Sequence, residues 1–510
     1  MRQMLRDRSA EPFERSPAAA PRSAYLAIGH VRVSRKSLPL LVVWTMAAAY
    51  VWVASYYSLR KHGNYLSSFD LANFDQALWL LAQGEEPFIT QHGRHLLGDH
   101  FDPTILLLTP VYQLGGGPTA LLVLQAVLVA LVAPLLFKLA RLRGATPWLA
   151  VLPAVLWVAG PLVLTQTIDD FHHTPVAAPL IVGSIVALHQ NRLLLFAIAG
   201  LLACGLKEDI SLIYAMLGVI VLLEGRRRLG GAIVAGAMTV FALGVLLVVP
   251  HYSNSLDWFA KRFAGTRGDS VTDVAVWMIR NPLAALEDLA SLQNLFVVLA
   301  LLVTSGGLCL FAPKWMLLAL PAFAHNMLSA LPEQHLLRYH YWFPVILGLA
   351  IAGAVGVSNL RQLSRPTRLL AAVWVSAALW LFPVGLAYAD FSANDVYPGG
   401  AEARSQALAL IPKGVPVAAS VRLTPHLSQR REIYTLPLPF IYVDYGGDLT
   451  SEDFRERSRR VHYVALDLHD APKELSRSRD LLPPVLERLG FREIARRSTV
   501  VVYVRGAGRR

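Results

Sequence analysis

Between positions 67 and 79 the chain reads SSFDLANFDQALW, placing Asp70 and Asp75 among Phe69, Leu71, Phe74, Leu78 and Trp79. A carboxylate in such surroundings can move a proton, hold a cation or cap a helix. If residues 70–82 form a helix, Leu71, Phe74, Asp75, Leu78 and Trp79 share one stripe. Asp75 then sits in an apolar face and must be paired, protonated or bound to something. Its plainest partner is a basic neighbour. Asp70 falls at the helix start, where an aspartate caps well and suits the positive end of the helix dipole. Capping accounts for Asp70 about as well as chemistry does, although acids close to a membrane are functional by default.

Further acids and imidazoles recur in short clusters. LLGDHFDP at 96–103 carries Asp99, His100 and Asp102, and TIDDFHHTP at 167–175 carries Asp169, Asp170, His172 and His173. These donor types suit zinc or manganese, but the spacing matches no closed metal motif, and a hydrogen-bonded loop explains it somewhat better. LKEDISL at 206–212 sets Lys207, Glu208 and Asp209 between apolar runs, as a solvated turn or one dipping toward the membrane. LPEQHLLRYHYWFP at 331–344 offers Arg338 and His340. Arg338 could clamp a phosphate with its planar fork, or snorkel at an interface beside Tyr339, Tyr341 and Trp342. There is no Walker loop, CxxC, HExxH or Ser-His-Asp order, so ATP-driven and hydrolytic chemistry lose weight.

The elements that must position these groups are mostly apolar. Of 510 residues 55% are hydrophobic and only 16% charged, against about 25% charged in soluble chains; mean hydropathy is +0.45. The chain reads as a multi-pass α-helical membrane protein. A net charge of +12 then points to basic cytoplasmic loops rather than to nucleic acid. Cys204 and Cys309 lie inside apolar runs and imply no disulfide framework.

About eleven windows are long and apolar enough for spans, given the roughly 20 residues a span needs: near 38–58, 118–140, 146–167, 174–189, 192–206, 210–224, 229–250, 293–311, 313–331, 340–358 and 369–388. TILLLTPVYQL at 104–114 is short and reads as interfacial or re-entrant. If the tail with Arg32, Arg35 and Lys36 is cytoplasmic, the alternate loops hold Lys138, Arg141 and Arg143; Arg192; Arg226, Arg227 and Arg228; Lys314; and Arg361, Arg365 and Arg368. All are basic and short, as the positive-inside rule demands. The opposite face collects Asp70, Asp75, His92, His95, Asp99, His100, Asp102, Asp169, Asp170, His172, His173, Lys207, Glu208, Asp209, His251, Asp257, Glu333, His335, Arg338 and His340. Groups so costly near a membrane, gathered on one side, suggest one site there.

The organisation expected is a disordered basic cytoplasmic tail (1–37) whose following helix is an uncleaved anchor, a transmembrane domain (38–388) with a large first outside loop (59–117), and a small extracytoplasmic α/β domain (389–510). In the last, PVAASVRLTPHL reads as strand then turn, HYVALDL and STVVVYVR as strands, and PPVLERLGF as a helix ending at Gly490.

A first helix, a large outside loop opening with Asp70, and a helix through FDQALWLLAQ to Gly84 together resemble the GT-C superfamily of integral membrane glycosyltransferases. The set FDLANFDQALW, GDHFDP, DDFHH, KED and TPHLSQRREIY is similar to a bacterial multi-pass branch of it, DUF2079-like, over about 60–450. The family's common Asp-Glu pair is here Asp70-Leu71. The resemblance implies a bacterial plasma-membrane enzyme moving a sugar from a polyprenyl-phosphate carrier to an extracytoplasmic acceptor: a cell-envelope glycan, lipid or protein. Asp70 would be general base or acceptor-orienting group, with Asp75 in support. His100, Asp170, His172, Lys207, Glu208, Arg338 and His340 would line the substrate and phosphate site. The resemblance implies no certain cofactor; Asp75, Glu208 or Asp209 could hold the cationic side chains or a divalent cation. The partners implied are the lipid-linked donor, the acceptor and membrane lipids. A transporter or lipid flippase would instead place charges near mid-span or show inverted repeats, and neither is evident; a non-catalytic envelope scaffold is the third reading.

Overall fold

The computed structural model describes residues 25–28, 31–34, 37–253, 271–289, 292–394, 400–442, 450–469 and 476–506. Arg35, Lys36, Asp257 and most of the expected N-terminal tail lie outside them. Strands β1 (Tyr25–Ile28) and β2 (Val31–Ser34) pair as an antiparallel hairpin ahead of the first long helix.

Every apolar window meets a helical segment, but not eleven full-length spans. Among the described residues, five helices are long and apolar enough to cross a membrane: α1 (Leu38–Gly63), Pro118–Leu142, Arg227–Tyr252, His340–Gln362 and Arg365–Ala393. A sixth is the pair Pro147–Val158 and Pro161–Thr167, bent by 46°. Helices His173–His189, Leu193–Cys204, Ile210–Leu223 and Asn294–Thr304 are shorter. Twelve residues rise only about 18 Å, less than the roughly 30 Å hydrocarbon core. Proline near the first position starts many of these helices, where its fixed φ helps and its missing N–H costs nothing. Gly218 and Gly230 let neighbouring helices touch: a Cβ on either would come within 2.9 Å of the other's carbonyl oxygen.

The helix ends sort by chemistry. At one end Arg143 lies 3.7 Å from Glu224 and over the Trp315 ring, and Arg226 donates to Asn191. Four loops expected on the basic side therefore meet. At the other end lies the first large loop. It holds α2 (Phe69–Ala82), the short hairpin of β3 (Phe88–Ile89) and β4 (Arg94–His95), and the helical turns Pro103–Leu108 and Thr109–Gln113, the latter pair matching the short helix expected at 104–114.

The C-terminal part forms a five-stranded sheet in the order β6-β5-β7-β9-β8, from β5 (Val417–Ala419), β6 (Ile433–Thr435), β7 (Tyr463–Asp467), β8 (Phe491–Arg497) and β9 (Val500–Arg505). Strand β5 runs parallel to β6 and β7, and β9 antiparallel to β7 and β8. Alternation divides the core: Val417, Ala419, Ala465, Val500 and Val502 pack on one face, Ala418, Val464, Leu466, Val501 and Tyr503 on the other. The three segments expected as strands and the helix ending at Gly490 are present. Strands β6 and β8 are additional, β6 being only three residues long and β8 a charged edge strand, FREIARR, without apolar alternation.

Inside this sheet Arg404 Nε donates to Asp467 Oδ2 at 3.0 Å, with both side chains buried. Arg404→Ala would leave a buried, uncompensated carboxylate, at a cost of about 3–5 kcal/mol. Thermal unfolding of the detergent-solubilised chain should register that loss.

Candidate active site

One buried amide sets the geometry. Gln125, in the apolar helix Pro118–Leu142, donates to the carbonyls of Thr167 (2.7 Å) and Asp170 (2.6 Å) and accepts from the His172 N–H (2.8 Å). These bonds hold the 167–172 turn. The Asp170 carboxylate then accepts from the Ser68 N–H (2.9 Å) and hydroxyl (2.6 Å). Ser68 is the N-cap residue of α2, so the turn fixes where α2 begins and where Asp70 stands.

Asp70 is not the cap. It lies in the first turn, half-buried, and its carboxylate has no hydrogen-bond or ion-pair partner among the described residues. Burial, then the neighbouring Asp170, raises its pKa to about 7, with Asp169 and Asp99 pushing the same way and His92 opposing. Asp99 itself stays charged: burial works against it, but His92 (3.3 Å), His100 and Arg94 (3.7 Å) hold it well below the usual carboxylate range.

Beside these acids lie Asp169, His172 and His340. The rings of His172 and His340 stack with centroids 3.5 Å apart, and Lys61 reaches Asp169 from the end of α1. Burial pushes the His172 imidazole well below its ordinary pKa, so it is neutral. One ligand atom from each of Asp169, His172 and His340 falls within 4.8 Å of the others. Among the described residues this is the group that could hold a metal ion. Of the acids expected to hold cationic side chains or an ion, Glu208 lies against His100 and Asp209 against Lys207, whereas Asp75 bonds neutral donors.

Glu208 accepts from His100 (2.9 Å) and from the Phe101 N–H (3.0 Å). Burial works against its charge, but His100 and Lys207 hold its pKa low. Lys207 pairs with Asp209 at 3.2 Å, and its field reaches both His172 and Glu208. His173 bonds Asp102 at 3.1 Å, edge-on to His100. Thus Asp70, Asp170, His172, His340, Lys207, Glu208 and His100 form one neighbourhood. Arg338 is exposed and rests on Tyr339, with its guanidinium 4.6 Å from the ring.

Asp75 lies apart and its partner is no cation. Fully buried, it accepts from Tyr112 (2.7 Å), Ser428 (2.6 Å) and Gln429 (3.3 Å). Burial lifts its pKa to about 6 against these bonds. Around it the C-terminal sheet docks on the first loop. Gln76 donates to the carbonyls of Arg430 and Arg431, Thr90 bonds Ile433, Arg431 grips Glu85, and His426 stacks on His62 and Tyr65.

A protein-family model described as "Predicted membrane protein (DUF2079)" matches residues 61–502. The chain belongs to this family. No curated protein matches it. Among solved structures it is similar to ArnT from Cupriavidus metallidurans, a GT-C glycosyltransferase. The form bound to undecaprenyl phosphate gives 13% identity and a TM-score of 0.54, and the apo form 14% and 0.55; each covers 92% of this chain and 99% of the other. This DUF2079 chain therefore has an ArnT-like fold.

Sequence reasoning missed Lys61 and Gln125. Both carried a signal. Arg60 and Lys61 are cations at the end of α1 opposite the basic loops, against the positive-inside trend. Gln125 is a lone amide in an apolar span, which is retained only with partners. Asp75→Ala should leave the Tyr112 hydroxyl buried and unsatisfied, costing on the order of 1–3 kcal/mol, while Ser428 falls back on the Pro425 carbonyl at 3.2 Å. A lower melting temperature and faster proteolysis at 424–435 would report the loosened docking.

Proposed function

We propose that this DUF2079 protein is a bacterial plasma-membrane glycosyltransferase that moves a sugar from a polyprenyl-phosphate carrier to an extracytoplasmic acceptor, with Asp70 as general base. The N-terminus is then cytoplasmic and the C-terminal sheet extracytoplasmic. The transmembrane unit takes 38–388 and the C-terminal domain 389–510. The gathering of basic loops at one set of helix ends, and of acids and imidazoles at the other, supports this orientation.

The observation that carries the reading is Asp70: a half-buried carboxylate without a bonding partner among the described residues, with a pKa near 7, at the edge of a polar cluster. A base is most effective when its pKa lies near the working pH. The acceptor hydroxyl gives its proton to Asp70 as its oxygen bonds to the anomeric carbon. The bond from that carbon to the phosphate oxygen breaks, and polyprenyl phosphate leaves with the electron pair. Its negative charge needs cationic neighbours, and Lys61 and Lys207 are at hand, with exposed Arg338 at the rim and the His340 imidazole beside them. The fold it shares with ArnT, which is bound to undecaprenyl phosphate in one structure, supports a lipid-phosphate donor. Asp75 acts at a distance, by seating the C-terminal domain, which borders the first loop and is placed to present an acceptor.

The test is transfer from a labelled polyprenyl-phosphate sugar in membranes. Asp70→Asn should lower the rate by about 10²–10⁴-fold. Because the base must be ionised, wild-type activity should rise with pH through about 7, and that limb should vanish in the variant. Undiminished transfer by Asp70→Asn would overturn the assignment; a flippase would show lipid translocation without transfer.

A further inference from the structure

We propose that Asp169, His172 and His340 form a binding site for one divalent transition-metal ion, with a donor set suited to zinc. Asp169 and His172 come from the turn before helix His173–His189, and His340 from the start of helix His340–Gln362. Three residues from distant parts of the chain thus present ligand atoms to one point.

The separations argue for a shared partner rather than for mutual bonds. Asp169 Oδ2 lies 3.9 Å from His172 Nε2 and 3.9 Å from His340 Nδ1. Hydrogen bonds to oxygen run about 2.7–3.2 Å, so neither contact is one. Two ligands about 2.0–2.2 Å from a tetrahedral zinc stand roughly 3.3–3.5 Å apart. Closing the two separations from Asp169 by about half an ångström would meet that geometry, and the two ring nitrogens already lie within 4.8 Å of each other. Buried His172 Nε2 has no hydrogen-bond partner, a costly state for a ring nitrogen unless something else uses it.

The surroundings are built to hold the donors still. The two imidazoles stack at 3.5 Å with planes 24° apart, and their ligand nitrogens lie within 4.8 Å of each other. The His172 backbone is pinned by Gln125. The Asp169 carboxylate is divided: Oδ1 lies 3.8 Å from Lys61, leaving Oδ2 toward the imidazoles. Two imidazoles and one carboxylate, with a fourth position open, are the ligands of many catalytic zinc sites. Near Asp70 and Asp170 an added dication also relieves the repulsion among carboxylates. Binding of the ion does not depend on the transferase reading; if that reading holds, the ion supplies positive charge for the departing phosphate.

The experiment uses the full chain purified in detergent, stripped by a chelator and titrated with zinc. Bound metal is counted by mass spectrometry, and coordination is read from the visible spectrum after cobalt substitution. One equivalent per chain is expected, with at least tenfold weaker binding in His172→Ala and Asp169→Asn, and with the tetrahedral cobalt bands lost. His251→Ala, which alters an exposed imidazole elsewhere, should bind as wild type. Variants are compared only where they elute as the wild type does, and His172→Gln replaces His172→Ala if the latter misfolds. No zinc uptake by wild type, or unchanged uptake in the folded His172 and Asp169 variants, would overturn the proposal. Metal uptake persisting in an inactive Asp70→Asn enzyme would separate the ion site from the base.

Discussion

A single side-chain amide in the middle of an apolar helix organises this molecule. Gln125 cannot stay unbonded where there is no water, and it satisfies its own needs by bonding the 167–172 turn. That turn carries Asp169, Asp170 and His172. Asp170 in turn anchors Ser68, the N-cap position of α2. One chain of buried hydrogen bonds therefore runs from the helix bundle to the first loop. It determines where the Asp70 carboxylate stands and sets Asp170 close enough to raise its pKa.

The two aspartates of α2 have been given opposite tasks by their surroundings. They are five residues apart on the same helix, and each has a pKa raised chiefly by burial. Asp75 has three donors, Tyr112, Ser428 and Gln429, and they tie it to the seam with the C-terminal sheet. Asp70 has none among the described residues, and its neighbours are mostly other acids. Such a contrast lets one short helix hold a carboxylate without a bonding partner among the described residues and another that is fully bonded.

The strip 424–435 joins the two halves. In the sequence it is TPHLSQRREIY, a polar run with little sign of its role. Folded, it places His426 on His62, Ser428 on Asp75, the carbonyls of Arg430 and Arg431 on Gln76, and Ile433 on Thr90. The C-terminal sheet is thus bonded to the loop that carries Asp70. An acceptor held by the sheet would be presented to that loop without a long-range change of shape.

Much of this architecture is legible in the order of residues alone. Runs of apolar residues mark helices because a span must bury its own backbone, and basic loops alternate with acidic ones because membrane insertion sorts charge. The gathering of Asp70, Asp170, His172, Lys207, Glu208 and His340 on one side follows from that alternation. What each acid does is not legible there. The Asp70 cap, the Asp75 ion pair and the Glu208 or Asp209 cation site are reasonable local accounts. The first two are displaced by partners far along the chain: Asp170 lies 102 residues from Ser68, and Ser428 lies 353 from Asp75. The third stands for the cationic side chains, with His100 on Glu208 and Lys207 on Asp209. Short windows of composition are enough for the helices, their expected sidedness and the inventory of chemical groups. Only packing in three dimensions settles which carboxylate is hydrogen-bonded and which has no bonding partner among the described residues. Desolvation and hydrogen bonding are properties of what packs against a group, and local sequence does not carry them.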